Sequence, residues 1–183
     1  MGGLSGVLPP GTNLGGLRPT VVKVGGSLFD DDVALGAFVQ SVVACSTPLV
    51  IVHGGGASVD RALERIGAET VRRDGIRVTP PDQIDTVAGV LAGVVNKRLV
   101  AAIQNAGGCA AGLALGDGGL VEVARDETLG FDPGCVGRPV GGNSTVAHAL
   151  LAAGITPVVS SIGMAGSVLL NVNADHAASA VAQ

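Results

Sequence analysis

The sequence predicts an α/β fold, a parallel sheet with helices packed against it, and two observations carry that prediction. Thr20-Val-Val-Lys-Val24 is a short β-rich run ending on Gly25-Gly26, after which Val33, Leu35, Phe38, Val39, Val42 and Val43 recur at helical spacing. The same order then repeats. Pro48-Leu-Val-Ile-Val52, apolar throughout like a strand buried on both faces, passes through His53-Gly-Gly-Gly56 into a helical segment over 57–65. Two successive strand–turn–helix units call for parallel strands, whose ligands usually sit beyond the carboxyl ends.

The remaining elements follow in order. Asp30-Asp31-Asp32 precedes the first helix, and acids there complement the helix macrodipole, which is a simpler reading than a metal site. Thr79-Pro-Pro-Asp82 resembles a capping box with proline near the first helical position, and a single helix is expected over 82–105 on the face Ile84, Val87, Ala88, Leu91, Val95, Leu99 and Ala102, ended by Gly107-Gly108. Gly116-Asp-Gly-Gly119 is the strongest hairpin signal in the chain, joining 109–115 to 120–123. Asn143-Ser-Thr-Val146 starts a helix that Gly154 stops; 156–161 and 169–173 are strands with a turn over 163–166 between them, and a last helix of 174–182 follows.

Composition narrows the possibilities. With 183 residues the chain suits one domain, or two small ones at most, and can bury most of its apolar surface. Hydrophobic residues make up 47%, but there is no Trp or Tyr and only three Phe, so Val, Leu, Ile and Ala must build the core. A net charge of -4 and scattered basic residues offer nucleic acid no track. No apolar stretch is expected to approach the roughly 18 residues of a membrane span, so no membrane partner is expected. Residues 1–19 lack a secretory pattern and read as a loose tail, and Gly6 breaks the lipidation pattern. Cys45, Cys109 and Cys135 fit neither a disulfide framework nor a metal knuckle, which points to a reducing, cytoplasmic setting.

The chemistry gathers at the strand ends. Only Lys23 and Lys97 are lysines, against nine arginines, so a lysine kept at a strand's end suggests a compact charge placed between phosphates. Gly25, Gly26, Gly54, Gly55 and Gly56 leave backbone N–H groups open to an anion, and the helix after Gly56 adds its positive end. Neither cluster is a dinucleotide or Walker motif, and His-Gly-Gly-Gly, also an esterase oxyanion pattern, has no G-x-S-x-G elbow to serve. Arg77, just before a helix start, is placed either to clamp a carboxylate by paired hydrogen bonds or to form a surface ion pair. Asn171 and Asn173 fall on one side of a strand with Asp175 following, as ligands or as turn and cap residues. His53 is given a positioning role rather than a catalytic one; His148 and His176 carry no signal.

Taken together, V-K-V-G-G-S, V-I-V-H-G-G-G, D-G-I-R-V-T-P-P-D-Q-I-D, V-N-K, G-L-A-L-G-D-G, P-V-V-S-S-I-G and N-V-N-A-D make the chain, from about Thr20 to Gln183, resemble the acetylglutamate kinases of arginine biosynthesis. These lie within the amino acid kinase family. The resemblance implies a three-layer α/β/α sandwich with a mainly parallel central sheet, here the N-terminal, acetylglutamate-binding part over 20–183. It implies ATP, accompanied by Mg²⁺, as co-substrate and N-acetyl-L-glutamate as the small-molecule substrate, phosphorylated on its side-chain carboxylate.

Residue by residue, the resemblance makes Lys23 the lysine that stabilises the transferring phosphoryl group and Asp175 the aspartate that organises catalytic lysines. Gly55, Gly56, Arg77 and Asn171 hold the substrate; Gly25, Gly26 and Gly54 lie near the phosphates. A carboxylate of pKa about 4.3 is already ionised at neutral pH, so positioning and charge neutralisation suffice without a general base. Family members continue into a C-terminal portion that forms most of the nucleotide site, so this chain is expected to hold the acceptor half of a kinase. The 82–105 helix region is expected to pair in a homodimer. A non-catalytic module binding an acidic metabolite, or a related amino acid kinase with another carboxylate substrate, remains the alternative.

Overall fold

A computed structural model describes residues 19–183; residues 1–18, all of the expected tail but Pro19, lie outside the described residues. Strand β1 (Thr20–Val24) runs through a 3-10 turn, Gly26–Asp30, into helix α1 (Asp32–Ala44), and β2 (Leu49–His53) runs into α2 (Gly56–Arg65). The Asp31 carboxylate caps α1 by accepting from the N–H groups of Val33 and Ala34, both at 2.9 Å, and Asp32 lies in its first turn, so these two acids serve the helix start while Asp30 pairs with Arg61 at 2.7 Å. A small hairpin, β3 (Val71–Arg73) and β4 (Ile76–Val78), leads to α3 (Ile84–Ala88), a π-helical segment (Gly89–Val95) and α4 (Asn96–Asn105). After these come β5 (Ala110–Ala114), β6 (Glu122–Arg125), β7 (Val136–Gly141), α5 (Thr145–Ala152), β8 (Thr156–Ser160), β9 (Ile162–Ala165), β10 (Val168–Val172) and α6 (Ala174–Val181).

The central sheet is parallel throughout, in the order β1-β2-β8-β5. Its side chains alternate between two cores, because successive residues of a strand point to opposite faces. Ile51 and Val158 join Val39, Val42, Leu99 and Ile103 on the α1/α4 side. Val50, Val52 and Val159 join Ala147, Leu151 and Ala177 on the α5/α6 side. This is the expected three-layer sandwich. Its second core also takes in residues of a mixed sheet, β6-β7-β10-β9, which the sequence reading did not separate from the first.

Three local expectations are corrected. Gly116–Gly119 forms no hairpin: Gly118 and Gly119 take left-handed conformations (φ 61° and 70°) and Asp117 Oδ2 accepts from the Ala114 N–H at 2.9 Å, but β5 pairs with β8 and β6 with β7. The turn chemistry is right and the partners lie elsewhere. The hairpins sit instead at Asp74-Gly75 (φ 50° and 79°), between β3 and β4, and at Gly166, between β9 and β10, so Gly163 falls within a strand opposite Leu170. Nor does Thr79 cap a helix: α3 starts at Ile84 behind Gln83, and the Thr79 hydroxyl donates to Arg77 O at 3.1 Å while accepting from Asn171 Nδ2 at 3.1 Å.

The membrane expectation also needs revision, since the continuous helical stretch Ile84–Asn105 has 22 residues and a mean hydropathy of 1.5, long and apolar enough to cross a membrane by length and composition. Its apolar face is occupied within the fold. Val87, Leu91, Val95, Leu99 and Ile103 are buried beneath α2 and the central sheet, which makes it a core helix. Leu99 is fully buried there, so Leu99→Ala is expected to cost about 2–5 kcal/mol in urea denaturation. Val33, 83% exposed, is the control, and Val33→Ala is expected to stay within about 0.5 kcal/mol.

Candidate functional site

Because β1 and β2 are parallel with Val24 opposite His53, the two glycine turns leave the sheet at one level. They touch: a Cβ on Gly26 would lie 3.1 Å from the Gly56 nitrogen, and the Gly54 N–H donates to Val24 O at 3.3 Å. A Cβ on Gly55 would lie 2.9 Å from Leu91 Cδ2, so a side chain at this point would have to displace Leu91. The short strands and the helices that start just after them thus deliver the backbone of both turns to a single place.

Helix α6 begins against these turns. Asn173 caps it, its Oδ1 accepting from the N–H groups of Asp175 and His176 at 2.8 and 3.3 Å, which meets the cap reading of this residue. The cap turns Asp175 toward Lys23, whose Nζ lies 2.9 Å from Asp175 Oδ1. Both side chains are exposed, 37% and 71%, and such surface pairs contribute about 0–1 kcal/mol, so the pair does little for stability. Its effect is to hold an ammonium at the carboxyl end of β1.

Arg77 comes from β4 and is almost wholly buried, 6% exposed. Its Nη2 donates to Gly56 O at 3.0 Å and lies 2.6 Å from Asp60 Oδ1, and its Nη1 donates to Thr70 Oγ1 at 3.3 Å. Arg72 donates to the other Asp60 oxygen at 2.9 Å. Burial lowers the Arg77 pKa, with Asp60 working the other way. For Asp60, burial pushes upward, but Arg77 and Arg72 together outweigh it and hold its carboxyl below the usual value. Both readings of Arg77 are therefore partly met, since it pairs with an acid while bounding a cavity.

That cavity, of about 140 Å³, is lined by Gly54, Gly55, Gly56, Arg77 and Asn171, with Arg72 beside them. Four of the expected substrate residues and one expected phosphate glycine thus meet. Lys23, Gly25, Gly26 and Asp175 lie outside its lining, joined to it through the contact of Gly26 with Gly56. A roomier groove of about 460 Å³ lies at the opposite, amino end of the strands, against Pro48, Cys109 and Thr156; its lining carries no charged side chain among the described residues. The chemistry is at the smaller cavity.

Asp60 and Arg72 were not singled out from the sequence, and Thr79 was read only as a helix cap. Asp60 carried no signal beyond its place on α2, one helical turn after Gly56. The Asp-Gly pair at 74–75 could have revealed the hairpin that carries both arginines. His53 is fully buried, its Nδ1 2.8 Å from Gly54 O and its pKa lowered by burial, in keeping with a positioning role.

Comparison with known proteins adds the wider context. The family model described as "Amino acid kinase family" matches residues 18–183. The acetylglutamate kinase of Pectobacterium carotovorum subsp. carotovorum (strain PC1) is 45% identical over 173 residues, covering 91% of this chain and 66% of that protein. The chain therefore spans slightly under two thirds of that relative's length. Among solved structures, smu.665 of Streptococcus mutans UA159 superposes with a TM-score of 0.75 at 27% identity, over 90% of this chain and 67% of the other. N-acetylglutamate synthase of Neisseria gonorrhoeae, with a TM-score of 0.73 at 20% identity over 90% of this chain and 38% of that one, shares the fold.

The Asp60 pairs carry a pH signature. A carboxyl whose folded pKa is depressed adds stability above its unfolded value, near 3.8, and loses that contribution as pH falls through the lower folded value. Asp60→Asn is therefore expected to be fully destabilising at neutral pH. Its penalty, read by urea denaturation across a pH series, should shrink below about pH 4.

Proposed function

The chain belongs to the amino acid kinase family, and from that premise we propose that it binds N-acetyl-L-glutamate and takes part in the ATP-dependent phosphorylation of its side-chain carboxylate. Curated relatives 44–45% identical to it are acetylglutamate kinases. The observation that carries the reading is the buried Arg77 guanidinium on a cavity shared with Gly54–56 and Asn171, one loop contact away from Lys23.

In this reading Arg77 holds the α-carboxylate by charge-assisted hydrogen bonds, while Gly55 and Gly56 offer backbone N–H groups and Asn171 its amide. The side-chain carboxylate then points toward the Gly25–Gly26 turn. One carboxylate oxygen attacks the γ-phosphorus of ATP, the bond from phosphorus to the bridging oxygen breaks, and ADP leaves with that electron pair. No proton moves, so no general base is required. Lys23, held by Asp175, sits where charge gathers on the transferring group, and Gly25, Gly26 and Gly54 let phosphate oxygens approach the backbone.

Mg²⁺ would enter with the nucleotide, neutralising phosphate charge, and no cluster of three or more His, Cys, Asp or Glu able to hold a metal occurs among the described residues. A homodimer is proposed through the 82–105 region. Val94, on the outer face of that helix, is 57% exposed and supports such a contact.

Calorimetry tests the proposal directly. Acetylglutamate should bind with an affinity that Arg77→Ala weakens by about tenfold or more, the value of one hydrogen bond to a charged group. No heat from the unsubstituted chain would refute the substrate assignment. MgATP titrated separately tests the kinase part, since acid binding without nucleotide binding would mark a binding module. Sedimentation tests the dimer, which Val94→Glu should shift toward monomer.

A further inference from the structure

We propose that Asn96 is a positioning residue for the glycine loop, acting through His53 to hold the Gly54–Gly55 peptide with the Gly55 N–H turned to the cavity. Asn96 is fully buried in the first turn of α4, on a face otherwise apolar, where an uncompensated amide would be costly. It is compensated on every side. Its Nδ2 lies 2.8 Å from Val158 O and 3.0 Å from His53 Nε2, and its Oδ1 accepts from Lys97 Nζ at 3.1 Å. The strand beneath makes room for it, since any Cβ at Gly112 would overlap Asn96 Oδ1.

Counting donors then settles the histidine. A carbonyl oxygen only accepts and an ammonium only donates, so Val158 O and Lys97 Nζ together fix which end of the Asn96 amide is NH₂. That NH₂ donates to His53 Nε2, which must therefore be unprotonated. The ring proton lies on Nδ1 and is donated to Gly54 O at 2.8 Å. The Phe29 ring packs edge-on against the imidazole, with centroids 5.8 Å apart. In a trans peptide C=O and N–H point in opposite directions, so pinning the Gly54 carbonyl against the ring turns the Gly55 N–H away from it. The π-helical segment just before Asn96 supports the same peptide from behind: Leu91 and Val95 are the atoms a Cβ on Gly55 would strike.

This inference rests on reading the cavity as a carboxylate site, and the test separates the two. In the full chain labelled with ¹⁵N, imidazole NMR should show His53 with a protonated Nδ1 and a bare Nε2. Asn96→Asp replaces the donor by an acceptor, so His53 should shift its proton to Nε2 or become imidazolium, and the Gly55 amide signal should move. Acetylglutamate affinity should fall about tenfold, as for one hydrogen bond lost to a charged ligand. His53→Asn, which keeps an amide donor near the Nδ1 position, should lose less than His53→Leu.

Should Asn96→Asp fail to fold, Asn96→Leu gives the same readouts by deleting the donor. An Nε2-protonated His53 in the unsubstituted chain overturns the proposal. So does a Gly55 amide that stays put when the tautomer changes. So too does unchanged affinity in a variant whose tautomer has switched. If acetylglutamate gives no heat with the unsubstituted chain, the substrate reading fails, while the tautomer and the Gly55 amide still decide the role of Asn96.

Discussion

The site depends on one constraint, the parallel, in-register pairing of β1 with β2. Val24 opposite His53 brings both strands to an end at the same level, and both chains must then turn in the same few ångströms. At Gly26 and Gly55 a side chain would crowd its neighbours. A Cβ on Gly26 would press on the Gly56 backbone, and one on Gly55 on Leu91 and Val95. The glycines also leave only backbone at this point, beside the start of α2 and its positive dipole end, although the Gly54 N–H is already taken by Val24 O.

Around that point two ion pairs behave differently. Lys23 and Asp175 meet in solvent, where attraction is screened and contributes little to stability, so the pair chiefly sets where the ammonium stands. Arg77 is withdrawn from water and would be costly alone; Asp60 and the Gly56 carbonyl compensate it. The hairpin of β3 and β4 is thereby tied to α2 by a charge pair, and through Thr79 and Asn171 to β10. The cavity walls come from six separate stretches of chain, and polar contacts of this kind help hold them together.

Much of the sheet was legible because it is written in local pattern. The apolar run before His53 and the repeated strand–glycine–helix order specify buried parallel strands, and Asp31 caps α1 as its acidity and position suggested. Misses fell where a local signal has more than one use. Gly116–Gly119 is good turn chemistry, but whether the strands beside a turn pair with each other is decided by what else is within reach, and β5 and β6 each found another partner. Thr79 has the composition of a cap yet lies fully buried, where Arg77 O and Asn171 engage its hydroxyl. The apolar 84–105 helix, whose span-like length went unremarked, is a core element because its stripe is covered by α2 and the sheet.

For the site, the sequence by itself determined which backbone is bare and where the scarce lysine stands, since glycine's lack of a side chain and a strand's end are local properties. It also named Arg77, Asn171 and Asp175 through the motifs they belong to. Only the tertiary structure decided who meets whom: Asp60 and Arg72 beside Arg77, Asn173 as a cap, Asn96 against His53. The reason is physical. Those contacts join residues 12 to 43 positions apart, or oblige an amide to choose between a helix end and a cavity, and such choices depend on burial and on the partners that folding brings into reach.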